Sequence, residues 1–134
     1  MDTAAEILII GGLMCLMYAA INGWFITAIR FKSATYPEAL RQAHIGTIMQ
    51  GSMLLGLVFA VSLSDLSDGI ETIAAILVVA GAFLIAAKNT YNWRMGIKDD
   101  FAEPVPISKL LGGGSVIATT IGLAILLVGS MMGL

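Results

Sequence analysis

Four long apolar segments constrain this chain of 134 residues more than any other feature of its sequence. They are uncharged apart from one carboxylate, Glu71, near the start of the third, and they occupy residues 7–29, 44–63, 70–87 and 110–134. A helix of about 20 apolar residues spans the hydrocarbon core of a bilayer and satisfies its own backbone polar groups there. The sequence therefore predicts an all-α integral membrane protein, a bundle of four transmembrane helices.

The composition of the chain also points to a membrane protein. Apolar residues make up 58% and charged residues only 12%, with a mean hydropathy of +0.93. A soluble domain carries about 25% charged residues. The net charge is -2 and no run of Lys and Arg suggests a surface that follows phosphates, so nucleic acid is not expected as a partner.

Turn-forming residues place the helix ends beyond some of the apolar segments. Pro37 suits the first turn of a helix, so helix 2 is predicted to begin there and to carry His44 inside the membrane. Nothing between Ala87 and Met95 breaks a helix, whereas Gly96 marks a stop. The chain is predicted to form a single domain, residues 1–134, with helices at about 7–29, 37–63, 70–95 and 107–134.

Basic residues predict the orientation in the membrane. All seven lie in or beside the connections between helices 1 and 2 and between helices 3 and 4: Arg30, Lys32, Arg41, Lys88, Arg94, Lys98 and Lys109. Lys and Arg gather in cytoplasmic loops because they resist translocation. Both termini are therefore expected on the non-cytoplasmic side of a bacterial-type inner (plasma) membrane.

Polar side chains in the four segments are candidates for function, since they are costly in hydrocarbon unless they are paired or face a cavity. They fall in the cytoplasmic half and comprise Asn22, His44, Gln50, Lys88, Asn89, Tyr91 and Asn92. Because the topology brings the ends of helices 1, 2 and 3 to one side, we predict a shared polar pocket there. Lys88 is expected to extend its ammonium to the lipid headgroups.

The only histidine, His44, allows two interpretations. A neutral imidazole binds haem iron or another metal from one side and leaves the opposite position open for a substrate. An interfacial histidine bonded to a carbonyl or hydroxyl is the alternative. A closed structural zinc site is not expected, because the segments hold no cysteine pair or carboxylate cluster.

The other polar candidates are also open to two interpretations each. Gln50 follows His44 by six residues and is displaced from it by about 120° around the helix. Its amide, like those of Asn22, Asn89 and Asn92, suits either a cofactor or substrate contact or a hydrogen bond between helices. Tyr91 suits proton transfer near a reacting oxygen or a place in the interfacial aromatic belt.

Two groups of small residues suggest helix packing. Ser52, Gly56 and Ala60 repeat every four residues, a spacing that lets another helix approach closely, including one from a second subunit. The run Gly112-Gly113-Gly114 lacks the Lys-Ser or Lys-Thr of a phosphate loop. It is interpreted as a hinge or a tight crossing.

Two short motifs resemble those of a known superfamily. Ala43-His44, a stretch containing Gly46, and Gln50-Gly51 resemble helix 2 of the four-helix membrane isomerases that include styrene oxide isomerase and hydroxylaminobenzene mutase, with Gln in place of Asn. Thr90-Tyr91-Asn92-Trp93 is similar to a segment late in helix 3 of the mutases. Size and helix number agree over nearly the whole chain.

The resemblance implies a haem b cofactor whose iron His44 holds, in a homo-oligomer that is commonly a trimer. It also implies isomerisation of a small hydrophobic substrate from the bilayer, an epoxide to an aldehyde in the isomerase. Asn22 and Asn89 are predicted to help bind the cofactor. By analogy, Gln50, Tyr91 and Asn92 are predicted to orient the substrate or to stabilise charge.

Three alternatives to this function stay open. A mutase-like enzyme would rearrange an aryl hydroxylamine to an aminophenol. A non-catalytic small subunit would pack against a larger membrane complex through its small residues. A proton-coupled exporter is the least favoured, because its carboxylate would have to be Glu6 or Glu71, and both lie only at helix ends.

Overall fold

The fold is a bundle of four long helices. The computed structural model describes residues 2–134, and every regular element within them is an α-helix. The bounds are Thr3–Arg30 for α1, Glu38–Ser62 for α2, Asp68–Met95 for α3 and Pro106–Met132 for α4. All four are long and apolar enough to cross a membrane. The expected all-helical membrane architecture is thereby confirmed.

Local interactions at the helix ends explain where the helices begin and end. The Asp2 carboxylate accepts a hydrogen bond from the Ala4 amide at 3.1 Å, so α1 begins four residues before the apolar segment. Pro37 precedes α2 instead of lying in its first turn. Gly96 ends α3 with a φ of 67°, a left-handed conformation that glycine adopts without steric cost.

The helices pack as two antiparallel pairs. α1 makes its main contacts with α2, and α3 with α4, while α3 also touches both α1 and α2. Within residues 2–134, α1 and α4 do not meet. The buried apolar core lies among the four helices and includes Leu8, Leu54, Val78 and Leu126.

Glycines set the distance within each pair. At the α1–α2 crossing, a Cβ atom on Gly51 would lie 2.9 Å from the Gly12 carbonyl oxygen, and one on Gly12 would lie 3.0 Å from that of Gly51. At the α3–α4 crossing, the Ser115 hydroxyl donates to the Gly81 carbonyl at 2.7 Å. Small residues allow such backbone approach between membrane helices. As a result, the end of α1 lies directly against the start of α2.

The two ends of the bundle differ in charge. One end carries the connections 31–37 and 96–105, and all seven basic residues belong to these connections or to the adjoining helix turns. We call it the basic end. The other end holds the connection 63–67, the start of α1 and the end of α4, and the described residues there include five acidic ones and no Lys or Arg. Apart from Gln50, which lies at the midpoint of α2, the polar candidates lie in the half of the bundle nearer the basic end.

Candidate functional site

His44 contacts the end of α1. Its Nδ1 atom lies 2.8 Å from the Ala19 carbonyl oxygen, which can only accept, so Nδ1 carries the proton. In the neutral imidazole, Nε2 is then the nitrogen with the lone pair. Gly23 lies beside the imidazole ring, and a Cβ atom there would come within 3.1 Å of Cε1. The α1 backbone thus fixes both the tautomer and the position of the ring.

A cavity of about 550 Å³ opens beside His44 between α1 and α2. It is lined by Gly23, Trp24, Ile26, Thr27, Tyr36, Arg41, His44 and Ile45. Arg41 also lines this cavity, and its guanidinium donates two hydrogen bonds to Glu38 at 2.8 and 2.6 Å. The cavity therefore combines aromatic and aliphatic walls with one imidazole and one arginine that is paired with a carboxylate.

These residues fit a haem with one protein ligand. A metal-binding histidine almost always donates its second ring N–H to a carbonyl or carboxylate, as Nδ1 of His44 does to Ala19. Apolar and aromatic walls suit the macrocycle, and a guanidinium suits its carboxylate groups. Within residues 2–134, no three His, Cys, Asp or Glu side chains cluster as ligands for a bare metal ion.

A second cavity lies on the opposite side of α1, between α1 and α3. It has a volume of about 600 Å³ and an almost wholly apolar lining to which Cys15, Phe83 and Ala87 contribute. The Tyr18 hydroxyl donates to Thr90 Oγ1, which in turn donates to the Ala86 carbonyl at 2.7 Å. Tyr91 and Arg94 also line this groove. It is large enough for a small hydrophobic molecule.

A polar cluster joins α3 to the connection 96–105 and to α4. Oδ2 of Asp100 lies 2.6 Å from Nζ of Lys88, and it accepts hydrogen bonds from Asn92 at 3.2 Å and from Ser108 at 3.1 Å. The side chains of Lys88 and Asp100 are each only 16% exposed. The Lys88 ammonium therefore points to Asp100 and not, as expected from the sequence, to the lipid headgroups.

Asp100 gives the stability of the protein a pH dependence. Its hydrogen bond from Lys88 lowers the pKa of the Asp100 carboxyl, with burial opposing and with help from Asn92 and Ser108. Stabilisation is then complete above the unfolded-state pKa of about 3.9 and disappears as the pH falls through the lower folded-state value. We expect Asp100→Asn to lower the free energy of unfolding by about 1–2 kcal/mol at pH 7, which lies between the effects of breaking exposed and buried ion pairs. Thermal unfolding in detergent at pH 7 and at pH 3 measures this loss of stability.

Asp99→Asn is the matched control for this substitution. Asp99 is exposed, and its Oδ1 accepts only from the backbone amides of Phe101 and Ala102, which an Asn oxygen can replace. At pH 7, Asp100→Asn should be less stable than Asp99→Asn. The loss of stability in Asp100→Asn relative to the native protein should become smaller at pH 3. Equal stability of both variants at pH 7 would contradict the proposed ion-pair stabilisation.

The predicted candidates are buried or half-buried, but they do not share one pocket within a protomer. His44 lines the α1–α2 cavity and Tyr91 the α1–α3 groove. Asn89 borders a depression between α2 and α3, close to Gly46, and Asn92 borders a cavity under the connection 96–105. The polar groups thus lie at the same level along the bundle, on different sides of the helices.

Three buried amide atoms have no hydrogen-bond partner among residues 2–134. They are Nδ2 of Asn22, Oε1 of Gln50 and Oδ1 of Asn92. Asn22 and Asn92 are only 1% and 5% exposed. A buried polar atom without a partner costs about 1–3 kcal/mol, so each of these positions favours a bound water or ligand group.

Sequence reasoning missed three contributors to these sites. Ala19 acts through its backbone carbonyl and Gly23 through its lack of a side chain, neither of which has a signature in one sequence. Asp100 did have a signal, because a lysine inside a predicted membrane helix needs a counter-charge. The Asp99-Asp100 pair follows Lys88 by about three helical turns and was available to supply it.

Comparison of the chain with protein-family models, curated proteins and solved structures finds no match.

Proposed function

We propose that the protein is a membrane-bound, haem b-dependent isomerase that rearranges a small hydrophobic epoxide to an aldehyde. The observation that supports this most is the environment of His44. A hydrogen bond from Nδ1 to a carbonyl is expected for a structural histidine as well as for a ligand. The cavity of about 550 Å³ beside the ring, with Arg41 in its lining, favours the ligand.

The proposal includes an orientation and an assembly. The basic end faces the cytoplasm, both termini lie on the other side, and the membrane is a bacterial-type plasma membrane. The chain assembles as a homo-oligomer, a trimer by the resemblance to styrene oxide isomerase. This places the His44 cavity in the cytoplasmic half of the bilayer.

The chain positions the cofactor through three features of α1 and α2. His44 binds the iron through Nε2, and the Ala19 carbonyl holds the ring and increases its basicity as a ligand. Gly23 leaves room for the ring, and Arg41, which pairs with Glu38, borders the same cavity. When bound, haem would supply Lewis-acid chemistry for a substrate oxygen.

The substrate reaches the site from the bilayer. A small apolar epoxide partitions into hydrocarbon, and the apolar groove between α1 and α3 can hold it. Tyr91 lines this groove, which lies on the other side of α1 from His44, and Gln50, Tyr91 and Asn92 remain predicted to orient substrate or stabilise charge. The rearrangement gains and loses no atoms, so it requires neither nicotinamide nor flavin.

An activity assay tests the reaction class. Detergent-purified protein loaded with haem should convert an aryl epoxide such as styrene oxide to the isomeric aldehyde without added NAD or flavin. An aryl hydroxylamine serves as the second substrate, because product from it alone would identify the mutase-like rearrangement. Loss of turnover after haem extraction is expected. Haem-loaded protein that converts neither substrate would contradict the proposal and leave the non-catalytic subunit as the better explanation.

A further inference from the structure

The groove between α1 and α3 carries a charge at one end only. Among the described residues that line it, Arg94 at the basic end is charged, and there is no Asp, Glu or Lys. Met14 and Phe83 line its other end, near the middle of the bundle. From Phe83 to Arg94 the groove extends about 16 Å along α3, roughly half of a hydrocarbon core of about 30 Å. An amphipathic molecule with one charged end matches this distribution.

The middle of the groove leaves no hydroxyl hydrogen for a ligand. Tyr18 donates to Oγ1 of Thr90, and Thr90 donates to the Ala86 carbonyl. Thr47, the third hydroxyl in the lining, donates to the Ala43 carbonyl at 2.7 Å. Because the protein itself accepts all three hydrogens, this stretch favours a hydrocarbon chain over a polar group.

The guanidinium of Arg94 has no carboxylate within 4.0 Å among the described residues. It lies 5.9 Å from the centroid of the Trp93 ring, a contact that leaves its N–H groups available. Five of the nine acidic residues belong to the other end of the bundle, and two form the ion pairs described above. The remaining two, Asp99 and Glu103, accept hydrogen bonds from backbone amides of their own connection. The charge of Arg94 therefore complements one carboxylate, which a guanidinium binds through two N–H groups.

A buried amide donor lies at the same level as Arg94. α1 and α3 run in the same direction and Tyr18 contacts Thr90, so Asn22 and Arg94, each four residues later, lie level with each other. Asn22 also shares a face of α1 with Tyr18. It is 1% exposed, and its Nδ2 has no hydrogen-bond partner among residues 2–134. An anionic oxygen at this end of the groove would satisfy such a donor.

We propose that this groove binds one single-chain carboxylate of the fatty-acid type. The carboxylate accepts hydrogen bonds from Arg94 and from Nδ2 of Asn22, and the chain follows the apolar lining to Phe83. The volume of about 600 Å³ lies within the range of small-molecule sites, about 300–1,000 Å³, and suits one chain instead of a two-chain phospholipid. Binding requires neither haem nor His44. Only competition between this carboxylate and the epoxide for the groove rests on the proposed function.

Ligand retention measured by native mass spectrometry tests the proposal. The full-length protein is mixed in detergent at pH 8 with dodecanoate or with its methyl ester, which has the same chain and no charge. Dodecanoate should be retained at least about fivefold better, equivalent to about 1 kcal/mol, the upper end for an exposed ion pair. Equal retention of the acid and the ester by the native protein would overturn the proposal.

Arg94→Gln should abolish the preference for the acid over the ester. Arg30→Gln is the matched control, because Arg30 is also exposed at the basic end but does not line the groove, and it should keep the preference. Equal loss in both variants would show that the charge of the whole basic end attracts the acid, which would overturn the assignment to the groove. A phosphatidylglycerol with two dodecanoyl chains should be retained equally by the native protein and Arg94→Gln. If its retention depends on Arg94 as strongly as that of dodecanoate, the groove holds bulk phospholipid and the proposal is wrong.

Ala87→Leu tests the chain-binding part of the groove separately from the charge. Ala87 is an exposed residue of the lining, so the larger side chain occupies the groove, and dodecanoate retention should fall at least about fivefold. Ala20→Leu is the matched control, since Ala20 is an exposed helical residue outside the groove. Equal retention by the two variants would place the chain elsewhere and refute the assignment.

Discussion

His44→Ala is expected to lower the affinity for haem by at least about a hundredfold. Loss of a partner that only orients a metal ligand costs about 10–100-fold, and here the ligand itself is removed. The Ala19 carbonyl would also lose its hydrogen bond. Titration of the purified protein with haem, followed through the Soret absorption, measures the change directly.

Two controls separate loss of the ligand from general damage. Gln42→Ala alters an exposed residue two positions earlier on α2, outside the His44 cavity, and should bind haem as the native protein does. Imidazole added to His44→Ala should restore a native-like spectrum by occupying the space of the missing ring. If His44→Ala binds haem with unchanged affinity, the proposed ligation is wrong.

Gly51→Val is expected to destabilise the bundle by about 3 kcal/mol, the upper end of the usual cost of overpacking. Its Cβ atom would lie 2.8 Å from Leu16 Cγ and 2.9 Å from the Gly12 carbonyl oxygen, and a backbone atom cannot move aside like a flexible side chain. α1 and α2 must therefore separate. Because His44 reaches Ala19 across the same interface, haem affinity should fall as well.

Gly56→Val provides the control for this substitution. Gly56 lies on the same helix, so its replacement by Val changes the helix propensity as much as the replacement of Gly51 does. However, no atom lies within 4 Å of a Cβ atom added at Gly56. The midpoint of thermal unfolding in detergent should drop strongly for Gly51→Val and only slightly for Gly56→Val. Equal midpoints would show that the close crossing of α1 and α2 does not limit stability.

The architecture follows from the sequence because length and hydropathy alone decide whether a segment can span hydrocarbon. Four such segments have no alternative to helices in a bilayer. The helix ends follow from short-range interactions, such as the Asp2 cap and Gly96, which a single sequence partly reveals. These are properties of residues close together in the chain.

The arrangement of the site could be predicted only in part, because it depends on how each helix is rotated about its axis. The sequence grouped the polar residues at one level of the bundle, and Gln50 was expected about 120° from His44. Which neighbour each side chain meets is set by the glycine crossings, for example Gly12 against Gly51. That packing places His44 and Tyr91 on opposite sides of α1, which no local pattern indicates.

If His44 holds one haem in each protomer, titration of the native protein with haem in detergent should produce a Soret band distinct from that of free haem. This band should saturate at about one haem per protomer. A spectrum that matches haem in empty detergent micelles at every ratio would show that the protein does not bind haem.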